Sequence, residues 1–463
     1  MKFSREPVSF IMMGYALIAA YTIYHFDGTG DSGDSIMHFL FAKYAPVHPA
    51  LYFDHWAKPV FVLLASPFAQ FGFNGMKLFN AIATFLTILL TYKTAVKLNF
   101  KNSFAVAIIL VFSPLYYVLT FSGLTEPLFA LFLALAVYLC VSKKYLQAAL
   151  VISFLPFVRS EGLIVLGVFA LYFSWKKQWK ILPWLTTGHL VYSIAGSFVY
   201  GNLLWVFTKI PYARVDSVYG HGELTHFAKE LFYVLGFPAF ILFCIGFIKI
   251  SIDLRKKIIP EIHLLILGTF LAFFIAHTLF WYFGIFGSMG LNRVLLGVIP
   301  LMGLIMLEGL NLLATHFSKR VNQIILVVFL GYIVIFPFTK TKGAIVFDRD
   351  MHLSNEQKAA LVTGEFIHSQ YSHLPKTAYE FPGLALTLDI DPFDPKSRTD
   401  LNPENISTLK PGDLLIWDNH FALLDKKMEH ETLDKDSAFE TIYTQRMIDE
   451  YNKTAQFIVY RKR

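Results

Sequence analysis

Charge is what this chain has least of. Of its 463 residues only 16% are charged while 55% are hydrophobic, and ordinary soluble domains carry about 25% charged residues. With a mean hydropathy of +0.52, this excludes a soluble globular enzyme and reads as a polytopic helical membrane protein. Cysteine is nearly absent: Cys140 and Cys244 both lie in apolar runs, which leaves no disulfide framework and no cysteine-bound metal, only packing residues. No internal repeat and no low-complexity tract appears. The first apolar run, Pro7 to Tyr24, follows a short basic leader (Lys2, Arg5) but ends Tyr-His-Phe. It lacks a small-x-small cleavage site and reads as an uncleaved first span. The net charge of +7 points to basic cytoplasmic loops, not to nucleic acid as a partner.

A span needs about 20 apolar residues. Such runs fall at 7–25, 75–97, 103–121, 124–142, 145–158, 160–175, 181–200, 231–250, 262–283, 291–313 and 322–338, about eleven in all. With the N-terminus inside, the cytoplasmic loops are KLNFKNS, SKKY, WKKQWK, DLRKK and HFSKR, and every one is basic, as the positive-inside rule requires. Merging the two short spans around VRSEG would break that pattern. The apolar segment PVFVLLASPFAQFG, Pro59 to Gly72, is short and contains Pro67. It is expected to lie at the outer interface or to re-enter partway, because a crossing there would invert every later loop.

After Pro337 the composition changes. Residues 340–463 hold 20 of the 33 acidic residues and no spanning segment. SNEQKAALVTGEFIHSQY opens with a Ser-x-x-Gln capping box and helical periodicity. DLLIWD, FETIY and QFIVYRK read as strands separated by turn signals such as KPGD. The expectation is a membrane domain over 1–339 and a small extracytoplasmic α/β domain over 340–463.

Only thirteen Asp and Glu lie in residues 1–339, and nine fall on the outer side: Asp27, Asp31, Asp34, Asp54, Glu126, Glu161, Asp216, Glu223 and Glu230. An ion or proton pathway would more often place such groups within the spans; here the polar chemistry gathers at one membrane face. Each position has a plain structural reading. Asp31 suits an N-cap and Asp34 a first helical turn, with His38 on the same face as Asp34. The spacings of His38, His48 and His55 match no standard metal pattern and suit interfacial packing or substrate hydrogen bonding. Lys58 is either a snorkelling lysine or a partner for phosphate. Glu126 suits a helix start ahead of Pro127, and Arg159 with Glu161 a local ion pair worth little. Arg293 is different: a lone arginine entering an apolar helix on the outer side needs an anionic partner.

Taken in order, GDSIMHF, HWAKPVFVLLASPFAQFG, LTEPLFALFLALAVYL, RSEG and GLNRVLLGVIPL resemble the GT-C integral membrane glycosyltransferases. The similarity is to the bacterial branch akin to protein O-mannosyltransferases and lipid A aminoarabinose transferases, glycosyltransferase family 39-like, over roughly residues 1–340. The resemblance implies transfer of a sugar from a polyprenyl-phosphate-linked donor to an acceptor hydroxyl at the outer face of the cytoplasmic membrane. It implies that the first outer loop, 26–74, is catalytic and carries the base. Asp34 matches the first acid of the family's Asp-Glu pair; Ser35 replaces the second, which leaves Asp31 and Asp34 both as candidates. Lys58 falls at the family's Lys-Pro-Pro, with Val60 in place of the second proline, and Arg293 at its phosphate-binding arginine; Arg159 joins them as a donor-phosphate candidate.

Substrate-binding candidates are His38, His55, Glu126 and Glu161, with Tyr212 and Arg214 from the long outer loop Tyr200 to Glu230. A glycan, a lipid or a protein all remain as acceptor. No cofactor is required and no metal site is assigned; the outer carboxylates leave a divalent cation open. The rival functions are a lipid-linked glycan flippase or transporter, which would need ionisable groups inside spans and paired interrupted helices, and an O-antigen-type polymerase or ligase. A receptor merely anchored by its spans fits an outer face so rich in charge least well.

Overall fold

The computed structural model describes residues 6–211, 219–314, 317–448 and 453–463. The chain is a multi-pass helical membrane protein with a small sheet domain at its C-terminus. Helix α1 (Glu6–His25) is followed by a loop carrying α2 (Asp34–Tyr44) and α3 (Pro59–Ala69), and α4 (Phe73–Lys97) returns. The short helix α3 has the length and the internal Pro67 that the sequence indicates. Among the described residues, Pro7–His25, Phe73–Lys97, Phe237–Leu254, Glu261–Phe283, Asn292–Leu313 and Lys319–Phe338 are each long and apolar enough to cross a bilayer.

The other five expected spans are shorter or broken. Residues 103–121 form α5 (Ala105–Val111) and α6 (Pro114–Thr120), parted where Pro114 cannot donate to the turn before it. α7 (Glu126–Val141), α8 (Tyr145–Ser153), α9 (Gly162–Trp175) and α10 (Thr187–Tyr200) follow; at 16, 9, 14 and 14 residues each falls short of the usual span. After the short α11 (Trp205–Thr208), the span expected over 231–250 begins instead as a separate amphipathic helix, α12 (His226–Leu235). Gly236, with φ of +75°, turns the chain into α13 (Phe237–Leu254); that left-handed value is open to glycine at little cost. α14 (Thr269–Phe283) continues from a π-helical turn, and α15 (Ile299–Leu313) from a 3₁₀ turn over Asn292–Val298.

α15 is the buried axis of the bundle, and α16 (Lys319–Ile335) lies outside it with Val327 and Val328 exposed. Lipid tails are as apolar as leucine, so helices inside a bilayer associate by close packing rather than by escaping water. α13 and α15 do this through glycine: a Cβ on Gly246 would lie 1.9 Å from the Ile305 carbonyl oxygen, and one on Gly309 would lie 2.0 Å from that of Leu242.

After the short α17 (Phe347–Asp350), α18 (Asn355–Gln370) starts with the expected capping box: Ser354 accepts from Gln357 N–H, and the Gln357 side chain accepts from Ser354 N–H. The sheet runs in the order β2-β1-β3-β5-β4. Here β3 (Leu414–Asp418), β4 (Phe439–Ile448) and β5 (Thr454–Lys462) are the three strands the sequence indicates, paired antiparallel with a bulge between Thr441 and Tyr443. The two-residue parallel strands β1 (Thr377–Ala378) and β2 (Arg398–Thr399) are too short to carry an alternation signal.

Gly309→Val would force α13 and α15 apart. It is expected to cost about 1–3 kcal/mol or more from overpacking, read as a lower unfolding midpoint in detergent, whereas Gly331→Val, with open space around it, leaves the midpoint unchanged.

Candidate active site

The first turn of α2 is built around Asp31, although not as its N-cap. Gly33 occupies the cap position, and the Asp31 carboxylate accepts from the backbone N–H groups of Gly33 at 3.0 Å and Ser35 at 2.9 Å. Its other oxygen accepts from one arm of the Arg293 guanidinium, and Asp34 accepts from the other arm. Arg293 thus has the anionic partners its position demands, and both come from the far end of the chain. It is carried by the 3₁₀ turn Asn292–Val298, where Asn292 donates to Glu230 at 2.9 Å.

A second arginine extends the cluster. Glu126, fully buried at the start of α7, lies 2.8 Å from Arg159 and 3.7 Å from Arg293. Arg159 also pairs with Glu161 at 2.8 Å and donates to Thr125 at 3.0 Å. The hinge VRSEG is therefore more than a local ion pair. Burial by itself would raise the Glu161 carboxyl; Arg159 beside it more than offsets this and holds it down to about 2. Such a network is costly to desolvate and stands only because each charge has a partner.

Lys58 is the exception. Its ammonium is buried and donates to the His55 carbonyl and to the Ser160 hydroxyl, each at 2.9 Å. Among the described residues no carboxylate comes within ion-pair distance of it, and burial pulls its pKa down to about 8. Its backbone has φ of +71°, a conformation that costs a non-glycine residue energy and gathers at functional sites.

These groups meet at a cavity of about 360 Å³ lined by Asp34, His38, Trp56, Lys58, Arg159 and Arg293, with Glu161 and His277 beside them and an apolar wall that includes Phe227 and Phe280. His38 is stacked on Trp56 with centroids 4.8 Å apart, and burial pushes its pKa down to about 3, so it is neutral. A larger cavity, about 770 Å³, lies on the Asp31 side, lined by Asp31, Asn292, Glu230 and the segment around 340–357. The smaller one is the better candidate for chemistry. Of the two acids that line it, Asp34 is 46% exposed and Glu161 18%, whereas Asp31 is 26% exposed and its oxygens are committed to backbone N–H groups and to Arg293.

Of the residues singled out in the sequence, Asp34, His38, Lys58, Arg159, Glu161 and Arg293 come together here, with Asp31 and Glu126 behind them. His55 does not line the cavity: its ring donates to the Val206 carbonyl at 3.0 Å and packs on the edge of Trp205, while its own carbonyl holds Lys58. Tyr212 and Arg214 lie outside the described residues. Trp56, Ser160 and His277 join the cavity without a motif to mark them; His277, alone in the apolar run of α14 and 3.9 Å from Glu161, carries the clearest signal in the sequence. Among the described residues no three His, Cys, Asp or Glu side chains are grouped to hold a metal.

The architecture, a helical body with short helices beside an acidic loop and a small terminal domain, has counterparts among solved structures. Among solved structures, ArnT from Cupriavidus metallidurans is similar over 97% of both chains, with a TM-score of 0.65 for the apo state and 0.60 for the form bound to undecaprenyl phosphate. Sequence identity is 10% in each case, so the likeness is one of fold. No family model and no curated protein matches the chain.

Glu126→Gln would remove the buried carboxylate between two guanidinium groups while leaving Arg159 paired with Glu161 and Arg293 with Asp31 and Asp34. The expected loss is about 1–3 kcal/mol of stability, seen as early unfolding in detergent; Glu161→Gln, at a partly open position with 18% of its side chain exposed, should cost less.

Proposed function

We propose that this protein is a membrane glycosyltransferase that moves a sugar from a polyprenyl-phosphate donor to an acceptor hydroxyl at the outer face of the cytoplasmic membrane. One observation carries the reading: Asp34, at 46% exposure more open than Glu161 at 18%, the other carboxylate lining the site, shares a part-apolar cavity with three cations, Lys58, Arg159 and Arg293. A phosphate ester leaving group needs the cations, and a hydroxyl nucleophile needs the base. The fold agrees, since the ArnT structure it resembles was solved with undecaprenyl phosphate bound.

The chemistry balances within this set. Asp34 accepts the acceptor's O–H proton as that oxygen bonds to the anomeric carbon, and the bond from that carbon to the phosphate oxygen breaks with its electron pair going to polyprenyl phosphate. One displacement inverts the anomeric centre. Among the described residues Lys58 pairs with no carboxylate, so a phosphate would supply its anion, and the arginines add charge in the same part-apolar cavity. Fixed cations supply the charge, and the reading asks for no cofactor. Asp31 sets the start of α2 and holds Arg293 while Asp34 does the proton transfer. The apolar wall suits a donor whose chain stays in the bilayer.

Asp34→Asn is expected to lower kcat by about 10²–10⁴-fold with polyprenyl-phosphate binding retained, measured with a panel of radiolabelled polyprenyl-phosphate sugars and membrane extract. Full activity in that variant, or a wild type that consumes no donor while lipid-linked glycan crosses liposomes, would sink the reading. Phosphate binding also has a predicted pH profile. The Lys58 ammonium is charged below about 8, so donor affinity should hold at lower pH and fall as pH rises through that value. Lys58→Arg should flatten the fall; a wild-type affinity that is level to pH 10 would remove Lys58 from the phosphate site.

A further inference from the structure

The chain that follows the last membrane helix turns back onto the acidic loop, and the proposed reaction alone does not explain why. The Gly28 N–H donates to the Met351 carbonyl at 2.8 Å, and a Cβ on Gly28 would lie 2.5 Å from that carbonyl, so the two backbones touch. His352 pairs with Asp27 at 2.8 Å. Gln357, the capping-box residue of α18, donates to the Thr29 hydroxyl at 2.8 Å, and Thr29 donates in turn to the Asp31 carbonyl. Ser32, between the two candidate acids, donates to Glu356 at 2.7 Å.

The sheet domain adds a second layer. Glu356 is also 3.0 Å from His420, at the end of the tight turn after β3. That turn is organised by Asp418, which is buried and accepts from the N–H groups of His420 at 3.0 Å, of Phe421, and of Ala422 at 3.3 Å. It aims the Phe421 ring at Gly33, where an added Cβ would lie 2.8 Å from Cζ. Gly33 is the residue before Asp34. The far end of α2 is held by the same domain: Tyr44 donates to the Ile390 carbonyl at 3.2 Å, His48 pairs with Asp391 at 2.7 Å, and Phe41 packs edge-on to Phe393 at 4.8 Å.

We propose that the C-terminal domain is a brace for the acidic loop, with Glu356 and Phe421 as positioning residues that act through Ser32 and Gly33 on Asp34. This rests on the reading of Asp34 as base. Residues 26–33 have no helix or strand of their own; Asp31 binds the Gly33 and Ser35 N–H groups locally, and the Arg293 pairs draw the two acids together, but neither ties the loop to the rest of the outer structure. A base displaced by an ångström loses much of its effect, and side chains on loops keep their place only through supporting contacts. The domain supplies those contacts from one side and Arg293 from the other.

The test uses the full chain in detergent or nanodiscs, as wild type, Glu356→Ala, Glu356→Gln and Phe421→Ala. Two quantities are read: amide hydrogen exchange across 27–35, with β3 as the internal check that the domain is folded, and kcat with donor affinity. Glu356→Ala and Phe421→Ala should speed exchange at Gly33 and Ser35, whose N–H groups Asp31 binds. They should also lower kcat by about 10–100-fold while polyprenyl-phosphate affinity stays level. Glu356→Gln keeps an acceptor for Ser32 and should recover most of kcat. Loop exchange at the wild-type rate in both alanine variants would overturn the brace, whatever happened to kcat. Faster exchange in variants of a wild type that transfers no sugar would uphold the brace and fail the glycosyltransferase reading instead.

Discussion

A guanidinium group leaving water must bring its counter-charge with it, and this protein does so twice within a few ångströms. Arg159 and Arg293 are both held among apolar helices, and Glu126, itself fully buried, lies between them. Removing one partner from such a group leaves an uncompensated charge in a poor dielectric, which is far costlier than the group's net worth. Everything around the site follows from keeping it whole. The start of α7 must bring Glu126, the hinge after α8 must bring Arg159, and the 3₁₀ turn before α15 must bring Arg293, all to one place.

The broken helices serve that requirement. A continuous helix would carry its backbone past the site with its polar groups satisfied and its side chains spread at fixed angles. Interruptions at Gly236, at Ser113–Pro114 and over Asn292–Val298 end helices where a side chain or loop has to turn inward. Non-helical backbone is tolerated at such depth only where protein buries it or a polar cavity hydrates it. Pro114 and Asn292 line the larger cavity and Arg293 the smaller one, so two of the breaks adjoin the site.

The electrostatics also separate two acids that look alike. Asp31 and Asp34 both bind Arg293, but Asp31 is fastened to backbone N–H groups as well, while Asp34 stands at the rim of the cavity that Lys58 also faces. The two acids thereby differ by their surroundings alone, Asp31 at 26% exposure against 46% for Asp34. Lys58 is the counterpart on the cationic side: among the described residues its buried ammonium is held by neutral oxygens alone.

Much of this was legible in the sequence, and the boundary has a physical cause. Hydropathy, capping and alternation are local properties, so the membrane class, the short helix at Pro59, the capping box at Ser354 and the three longer strands could be read directly. So could the demand that Arg293 find an anion, because burying a lone charge is prohibitive in any fold. Which anion it finds was beyond reach: Asp31 lies 262 residues away and Asp34 259. The same holds for Arg159, which reaches beyond its neighbour Glu161 to Glu126 on another helix, and for His55, whose ring is drawn to Val206 instead of the cavity. The role of each charged residue depends on what packing sets opposite it. The sequence by itself determined that a few charges in an apolar chain would each need a partner; only the tertiary structure decided which, because pairing energy depends on distances that chain order does not encode.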